Sequence, residues 1–286
     1  MKRYKLAGNL FLATMVFVAI GCDSNSVVDE EISAVNQDAA ESIAVLQGED
    51  TGGLMEEVQS VFEAAQDGSV DGNGKSTDFF FSREYDDSTG TWTVTRLVEL
   101  GEPENERYLY HKRVFEIQFR DSLDNPQIFY NTSGNLASSI EMTIVEAEGV
   151  LITPNFKAEK ESVSGNFLAT GTDTEEITVN GTYAREGSHT LETENAKRTL
   201  DFEMSVNVID LVGPRGSRRD LSQKVSGTIE GEYHALVTFE RGDAYGEREI
   251  DRSFTIVIEE GEATITIEGD RFESDLQSGE LRAQAS

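Results

Sequence analysis

The chain has 286 residues, of which 54 are acidic and 24 are Lys or Arg, giving a net charge of −30. A surface of this charge repels nucleic acid and anionic lipid headgroups, which excludes nucleic acid as an expected partner. The single cysteine excludes an internal disulfide bond.

The first 21 residues have the composition of a secretory signal peptide. Three basic residues, Lys2, Arg3 and Lys5, precede an apolar run from Leu10 to Ile20. This run is shorter than the about 20 residues that a helix needs to cross a bilayer. A basic start, a short apolar core and small residues at its end are typical of an export signal that is later removed. We therefore expect an exported protein.

The only cysteine follows this segment directly, in the order Ala19-Ile20-Gly21-Cys22. This order resembles the lipobox of bacterial lipoprotein precursors. The resemblance implies that the Cys22 thiol receives a diacylglycerol, that cleavage occurs before Cys22, and that the new amino group is acylated. Cys22 is therefore the expected lipidation site. Because two or more acyl chains anchor a protein stably, a membrane is the expected partner. The alternative is a signal peptide with an incidental cysteine, or an uncleaved anchor.

Residues 22–31 are polar and are predicted to form a tether, and residues 32–78 are predicted to form two helices and a connector. Apolar residues recur at helical spacing in both segments: Ile32, Val35, Ala39, Ile43 and Leu46, then Leu54, Val58, Val61, Phe62 and Ala65. Glu56, Glu57 and Glu63 lie off the second stripe. Turn-forming residues at 48–53 separate the two helices.

From Phe79 the apolar period changes from 3.6 to 2, so residues 79–286 are predicted to form an antiparallel β domain. The clearest alternation places Leu200, Phe202, Met204, Val206 and Val208 on one face. A second run does the same with Val225, Ile229, Tyr233, Ala235, Val237 and Phe239. We therefore predict a mainly-β fold of roughly ten strands, a large antiparallel meander that is sandwich or barrel-like.

The C-terminal part predicts two hairpins. A loop at Glu260-Gly261 makes Ile258 face Ala263 and Ile256 face Ile265, so that apolar residues meet apolar residues. A second loop at Gly269-Asp270 makes Ile267 face Phe272.

Residues 67–78, DGSVDGNGKSTD, resemble an EF-hand calcium loop, with Asp67, Ser69, Asp71 and Asp78 at ligand positions and Gly72 at the sharp turn. Gly74 stands where an apolar residue is expected, Asp78 replaces the usual Glu, and a strand follows instead of a helix. The alternative is a plain connector, and we assign no metal site.

The three histidines show no metal-binding spacing. His111 falls on the apolar side of its strand, which is typical of a core or rim histidine. His234 falls on the polar side, and His189 falls in a predicted turn. The chain has no recognisable catalytic or cofactor motif, so no catalytic residue and no cofactor is assigned.

Residues 213–220, GPRGSRRD, form a basic island in an acidic chain. Arg215, Arg218 and Arg219 are predicted to lie in a loop between two long strands. They are a possible anion-binding loop, or they balance nearby glutamates.

These features together predict a lipid-anchored cell-envelope lipoprotein with a non-enzymatic binding or scaffolding role. Its expected partners are the membrane, through Cys22, and an envelope protein or an anionic group. The alternative is a lipocalin-like carrier of a small apolar ligand. The residues identify neither the ligand of such a carrier nor which membrane holds the anchor.

Overall fold

The computed structural model describes residues 26–67, 79–215, 224–259 and 261–282. Helix α1 spans Ser26–Gln47 and helix α2 spans Leu54–Asp67. Helix α1 thus begins within the segment predicted as a tether, six residues before the predicted boundary. The β region begins at Phe79, the residue at which the apolar period changes.

The strands of the described residues fall into long strands of the main meander and a few two-residue strands. They are β1 (Phe79–Asp86), β2 (Thr91–Leu100), β3 (Tyr108–Arg120), β4 (Pro126–Gln127), β5 (Asn131–Thr132), β6 (Asn135–Leu136), β7 (Ser139–Thr153), β8 (Phe156–Thr170), β9 (Glu176–Glu192), β10 (Lys197–Pro214), β11 (Ser226–Arg241), β12 (Ala244–Glu259), β13 (Glu262–Ile267), β14 (Asp270–Asp275) and β15 (Glu280–Leu281).

One antiparallel sheet contains almost all of these strands. Its order is β1-β2-β3-β7-β8-β9-β10-β11-β12-β13-β14-β15, so long strands pair with their neighbours along the chain. Strand β4 pairs with β3, and β5 with β6 forms a separate two-stranded sheet. The predicted mainly-β fold with a large antiparallel meander is confirmed. Within the described residues the sheet is open, because β1 and β15 each pair on one side only.

Each long strand presents one apolar face and one polar face. In β10, side chains at even positions from Leu200 to Val208 are buried, whereas Asp201, Glu203, Ser205 and Asn207 are exposed. We call the buried side of the sheet the inner face and the opposite side the outer face. The alternation predicted for β10 and β11 is confirmed, with Phe239 only half-buried.

Both helices pack on the inner face. Helix α1 contacts β12 to β15, and helix α2 contacts β7, β8 and β9. Gly231 shows how tightly this side is filled: a Cβ atom there would lie 2.7 Å from the ring of Phe254 and 2.6 Å from Val206 Cγ1. Neighbouring side chains, such as the ring of Phe254, fill the space that a side chain at Gly231 would occupy.

The first predicted hairpin is confirmed and the second is shifted. Ile258 faces Ala263 and Ile256 faces Ile265, as predicted. In the second hairpin Ile267 faces Asp270, so the loop residues are Glu268 and Gly269 and not Gly269 and Asp270. The φ angles of Glu268 and Gly269 are 50° and 99°, as a two-residue turn with two left-handed residues requires. The partner of Ile267 is displaced by two residues, from Phe272 to Asp270, so the same side chains stay on the buried face.

The register predicts opposite outcomes for two adjacent residues. Ile256 is 1% exposed on the inner face, and Val257 is 42% exposed on the outer face. Ile256→Asp buries a carboxylate among apolar side chains, whereas Val257→Asp leaves it in water. We expect Ile256→Asp to lower the free energy of unfolding by about 3 kcal/mol or more, and Val257→Asp to have a much smaller effect in urea denaturation. Equal losses would contradict the register.

Candidate functional site

Helix α2 is enclosed by the protein on nearly all sides, including its acidic side. Glu57 is fully buried, and Gln59 and Ser60 are buried as well, although Glu56, Glu57 and Glu63 lie off the apolar stripe. A carboxylate is buried in this way only where cations or hydrogen-bond donors compensate for its lost hydration. The inner face of the sheet supplies those cations.

Arg113 of β3 pairs with two of the three glutamates of α2, Glu56 and Glu57. Its Nη2 lies 2.7 Å from Glu56 Oε1, and its Nη1 lies 3.4 Å from Glu57 Oε2. Arg96 of β2 stands directly opposite Arg113 in the register, so two like charges are neighbours on the inner face. The glutamates of α2 offset this repulsion, which makes the helix part of the charge balance of the sheet.

Lys160 and Arg185 hold the turn between the helices. Lys160 Nζ donates to the carbonyl oxygen of Gly52 at 2.9 Å, and Arg185 Nη1 donates to the same oxygen at 3.2 Å. Lys160 Nζ also lies 3.3 Å from His111 Nε2. The cross-strand neighbours of Lys160 are Gly149 and Gly187, which leave room for its long side chain.

We call this set the interior charge cluster. It consists of Glu56, Glu57, Arg96, His111, Arg113, Lys160 and Arg185.

Burial and neighbouring cations shift the pKa values in the cluster. Burial, reinforced by Lys160 and Arg113, lowers the pKa of His111 to about 3, so the imidazole is neutral and can accept from Lys160. Burial, reinforced by Arg185, lowers the pKa of Lys160 to about 8. Burial alone would raise the pKa of Glu56, but Arg113 and the other nearby cations together lower it. Glu56 therefore stays ionised at neutral pH.

The geometry of the cluster fits a clamp between helix and sheet. Strand side chains reach α2 and the turn that precedes α2, and a further contact joins Lys160 to His111 within the sheet. The inner-face positions of Arg96, His111, Arg113, Lys160 and Arg185 follow from strand alternation. A row of cations among apolar residues was therefore a signal in the sequence that such a cluster forms.

The predicted site residues are only partly within the described chain. Cys22, Arg218 and Arg219 lie outside it. Arg215 is exposed just beyond β10, where its Nη1 donates to Tyr130 Oη at 3.4 Å and its backbone N–H donates to Glu175 O at 2.8 Å. Of the residues that resemble a calcium loop, only Asp67 is described, at the end of α2.

The histidines lie at three different places in the sheet. His111 is in the interior charge cluster, and His234 lies on the outer face with Nδ1 3.2 Å from Asp251 Oδ1. His189 was expected in a turn, but it lies within β9, with its ring 5.2 Å from that of Phe202. Gly187 and Ser188 suggested a turn, yet both are paired with β8 and β10. Among the described residues, no group of three or more His, Cys, Asp or Glu is placed to hold a metal ion.

The outer face has a groove of about 690 Å³ across β7 to β12. Two rows of side chains, each running from strand to strand in register, line it. The first row is Thr143, Asn166, Thr182, Asn207, Glu230 and Thr255. The second row is Ser164, Ala184, Ser205, Glu232 and Ser253.

No family model, curated protein or solved structure matches the chain. Of the helices in the described part of the chain, none is sufficiently long and apolar to cross a membrane.

Removal of Arg113 tests the clamp. In Arg113→Met, Glu57 stays buried without its cation, so we expect a loss of about 3–5 kcal/mol in the free energy of unfolding, measured by urea denaturation. Adding Glu57→Leu to this variant removes the unpaired charge and is expected to restore part of the stability.

Lys112→Met is the matched control for this prediction. Lys112 is the residue before Arg113 in β3, and its ion pair with Glu146 is on the outer face and partly exposed. Lys112→Met should therefore lower the free energy of unfolding only slightly. An Arg113→Met variant as stable as Lys112→Met would contradict the clamp.

The lowered pKa of His111 predicts that the free energy of unfolding depends on pH. It stays neutral in the folded protein down to a pKa of about 3, whereas in the unfolded chain it takes up a proton below about pH 6.5. The unfolded state therefore binds more protons between these values, and this contribution to stability is lost as the pH falls from 6.5 towards 3.

We expect His111→Gln to reduce the loss of unfolding free energy between pH 6.5 and 4.5, measured by urea denaturation at each pH. The groups that face His111, namely Lys160, Arg113, Glu56 and Arg185, are unchanged in this variant. A slope unaltered by His111→Gln would show that the imidazole is not held neutral.

Proposed function

We propose that the protein is a lipid-anchored cell-envelope lipoprotein with a non-enzymatic binding or scaffolding role. The observation that carries the proposal is the order of a basic start, a short apolar run and Gly21-Cys22. This order provides an export signal and an acceptor for acyl chains at the first residue of the processed chain.

The position of helix α1 is compatible with such an anchor. Only residues 23–25 separate Cys22 from Ser26, where α1 begins. Four steps along an extended chain reach at most about 14 Å. An acylated Cys22 would therefore keep the start of α1 close to the bilayer surface.

Polar contacts bind α1 to the sheet, so a force on the anchor would reach the β domain. Asp38 Oδ2 lies 2.9 Å from Arg248 Nη1, and Asn36 accepts from Arg252 Nε at 2.7 Å. At the far end of the helix, Gln47 Nε2 donates to Ser274 Oγ at 3.1 Å. Helix α1 can thus act as a strut between a membrane anchor and the sheet.

The charge of the chain makes covalent acylation the main source of membrane affinity. Loss of residues 1–21 would leave 265 residues with 21 Lys or Arg against 54 acidic residues, a net charge of −33. Such a domain is repelled by anionic headgroups. Acyl chains provide attachment that does not depend on headgroup attraction.

The non-enzymatic role draws support from the way in which the titratable groups of the interior are used. The interior charge cluster holds α2 and the turn before it. The lipocalin-like carrier has less support, because α2 and rings such as Phe254 occupy the inner face where an apolar ligand would lie. The loop with Arg215, Arg218 and Arg219 stays a candidate for an anionic partner.

Labelling with an alkyne-tagged fatty acid in a bacterial host tests the anchor. We expect the unmodified chain to take up the label, to lose residues 1–21 and to partition into a detergent phase. Cys22→Ala should lose the label and remain uncleaved at this site, because the acceptor thiol is absent.

Asp23→Ala is the matched control, since it changes the adjacent residue but keeps the thiol, and it should retain the label. Label that persists on Cys22→Ala would refute acylation at this cysteine.

A further inference from the structure

The outer groove lies at the point where the polar face of the sheet is most regular. The strands supply one residue each to a row, and neighbouring strands are about 4.8 Å apart. Six strands therefore extend a row over about 24 Å, which is longer than a single small ligand. The volume of about 690 Å³ falls in the range of about 300–1,000 Å³ that is typical of ligand sites.

Two glycines form part of the backbone that lines the groove. Gly165 and Gly231 line the groove, and on the inner side Phe167 and Phe254 pack over them. A Cβ atom on Gly165 would lie 3.2 Å from the Phe167 ring, and one on Gly231 would lie 2.7 Å from the Phe254 ring. Because neither glycine has a side chain, these rings lie against the backbone that lines the groove.

One end of each row is already hydrogen-bonded within the lining. Asn166 Nδ2 donates to Thr143 Oγ1 at 2.9 Å, and Ser253 Oγ donates to Glu232 Oε2 at 2.9 Å. Within the described part of the chain, other uncharged polar side chains of the rows make no hydrogen bond, among them Ser164, Thr182, Ser205 and Asn207. Three hydroxyls and one amide are therefore directed into the groove and available to a ligand.

The chemistry of the lining selects the class of ligand. Hydroxyl and amide groups both donate and accept hydrogen bonds, and the carboxylates of Glu230 and Glu232 accept them. The described lining holds no Lys, Arg or His, so it offers no positive charge to a phosphate or sulfate. Hydroxyl groups spaced along an extended chain fit this pattern of donors and acceptors.

We propose that the outer groove binds an extended glycan chain that is free of phosphate and sulfate. The glycan lies across β7 to β12, and its hydroxyl groups are hydrogen-bonded to Thr182, Asn207 and their neighbours. This binding does not depend on the lipid anchor, since it uses the opposite side of the sheet from α1.

Isothermal titration calorimetry of the full chain in detergent with chito-oligosaccharides and cello-oligosaccharides tests the proposal. We expect a hexasaccharide of at least one series to bind more tightly than its disaccharide, because the groove spans several sugar units. Thr182→Val combined with Asn207→Ala removes two cross-strand partners and should weaken hexasaccharide binding by about tenfold or more, with an unchanged melting temperature.

Thr199→Val is the matched control, because Thr199 lies on the outer face of β10 but outside the groove lining. It should bind like the unmodified chain. The absence of binding to both series, or binding that the double variant does not weaken, would overturn the proposal. Competition by dextran sulfate at the groove would also overturn it, because the lining would then accept anions. Fatty-acid labelling tests the anchor at Cys22, and calorimetry tests the groove, so the failure of one proposal leaves the other unaffected.

Discussion

The burial of one carboxylate, that of Glu57, constrains much of the structure. A buried carboxylate without a partner costs several kcal/mol, and Glu57 is fully buried on the side of α2 that faces the sheet. Arg113 lies 3.4 Å from it and also pairs with Glu56. Once Arg113 is fixed, its like-charged neighbour Arg96 needs the same helix to offset the repulsion. Helix and sheet therefore depend on each other electrostatically as well as through apolar packing.

This dependence shapes the distribution of charge over the whole molecule. Cations are scarce, yet several point to the inner face, where they interact with the helices or with the turn between them: Arg96, Arg113, Lys160, Arg185, Arg248 and Arg252. The polar side chains that line the outer groove are, by contrast, carboxylates, hydroxyls and amides. A protein that uses its cations to hold helices in place has an outer face suited to uncharged polar ligands.

Strand alternation made most of the sheet predictable from the sequence, because burial on one face gives a period of two. The hairpin that pairs Ile256 with Ile265 was predictable because apolar residues meet on both sides of a glycine. The next hairpin was misplaced because Glu268 adopts a positive φ angle, which its residue type does not signal. The buried position of Glu57 was missed for a different reason. A helical stripe indicates which side is apolar, but not whether the sheet also covers the polar side.

The two sides of the sheet allow anchoring and recognition to be separate. Helix α1 contacts the inner face, through pairs such as Asp38 with Arg248, and the outer groove opens on the reverse of the same strands. The proposed ligand in the groove and the proposed anchor before α1 would therefore use different parts of the molecule. Strands β2, β3 and β7 to β14 are each paired on both sides, so load on α1 would be shared by many backbone hydrogen bonds. Because the groove residues project from these same strands, their spacing would be kept under that load.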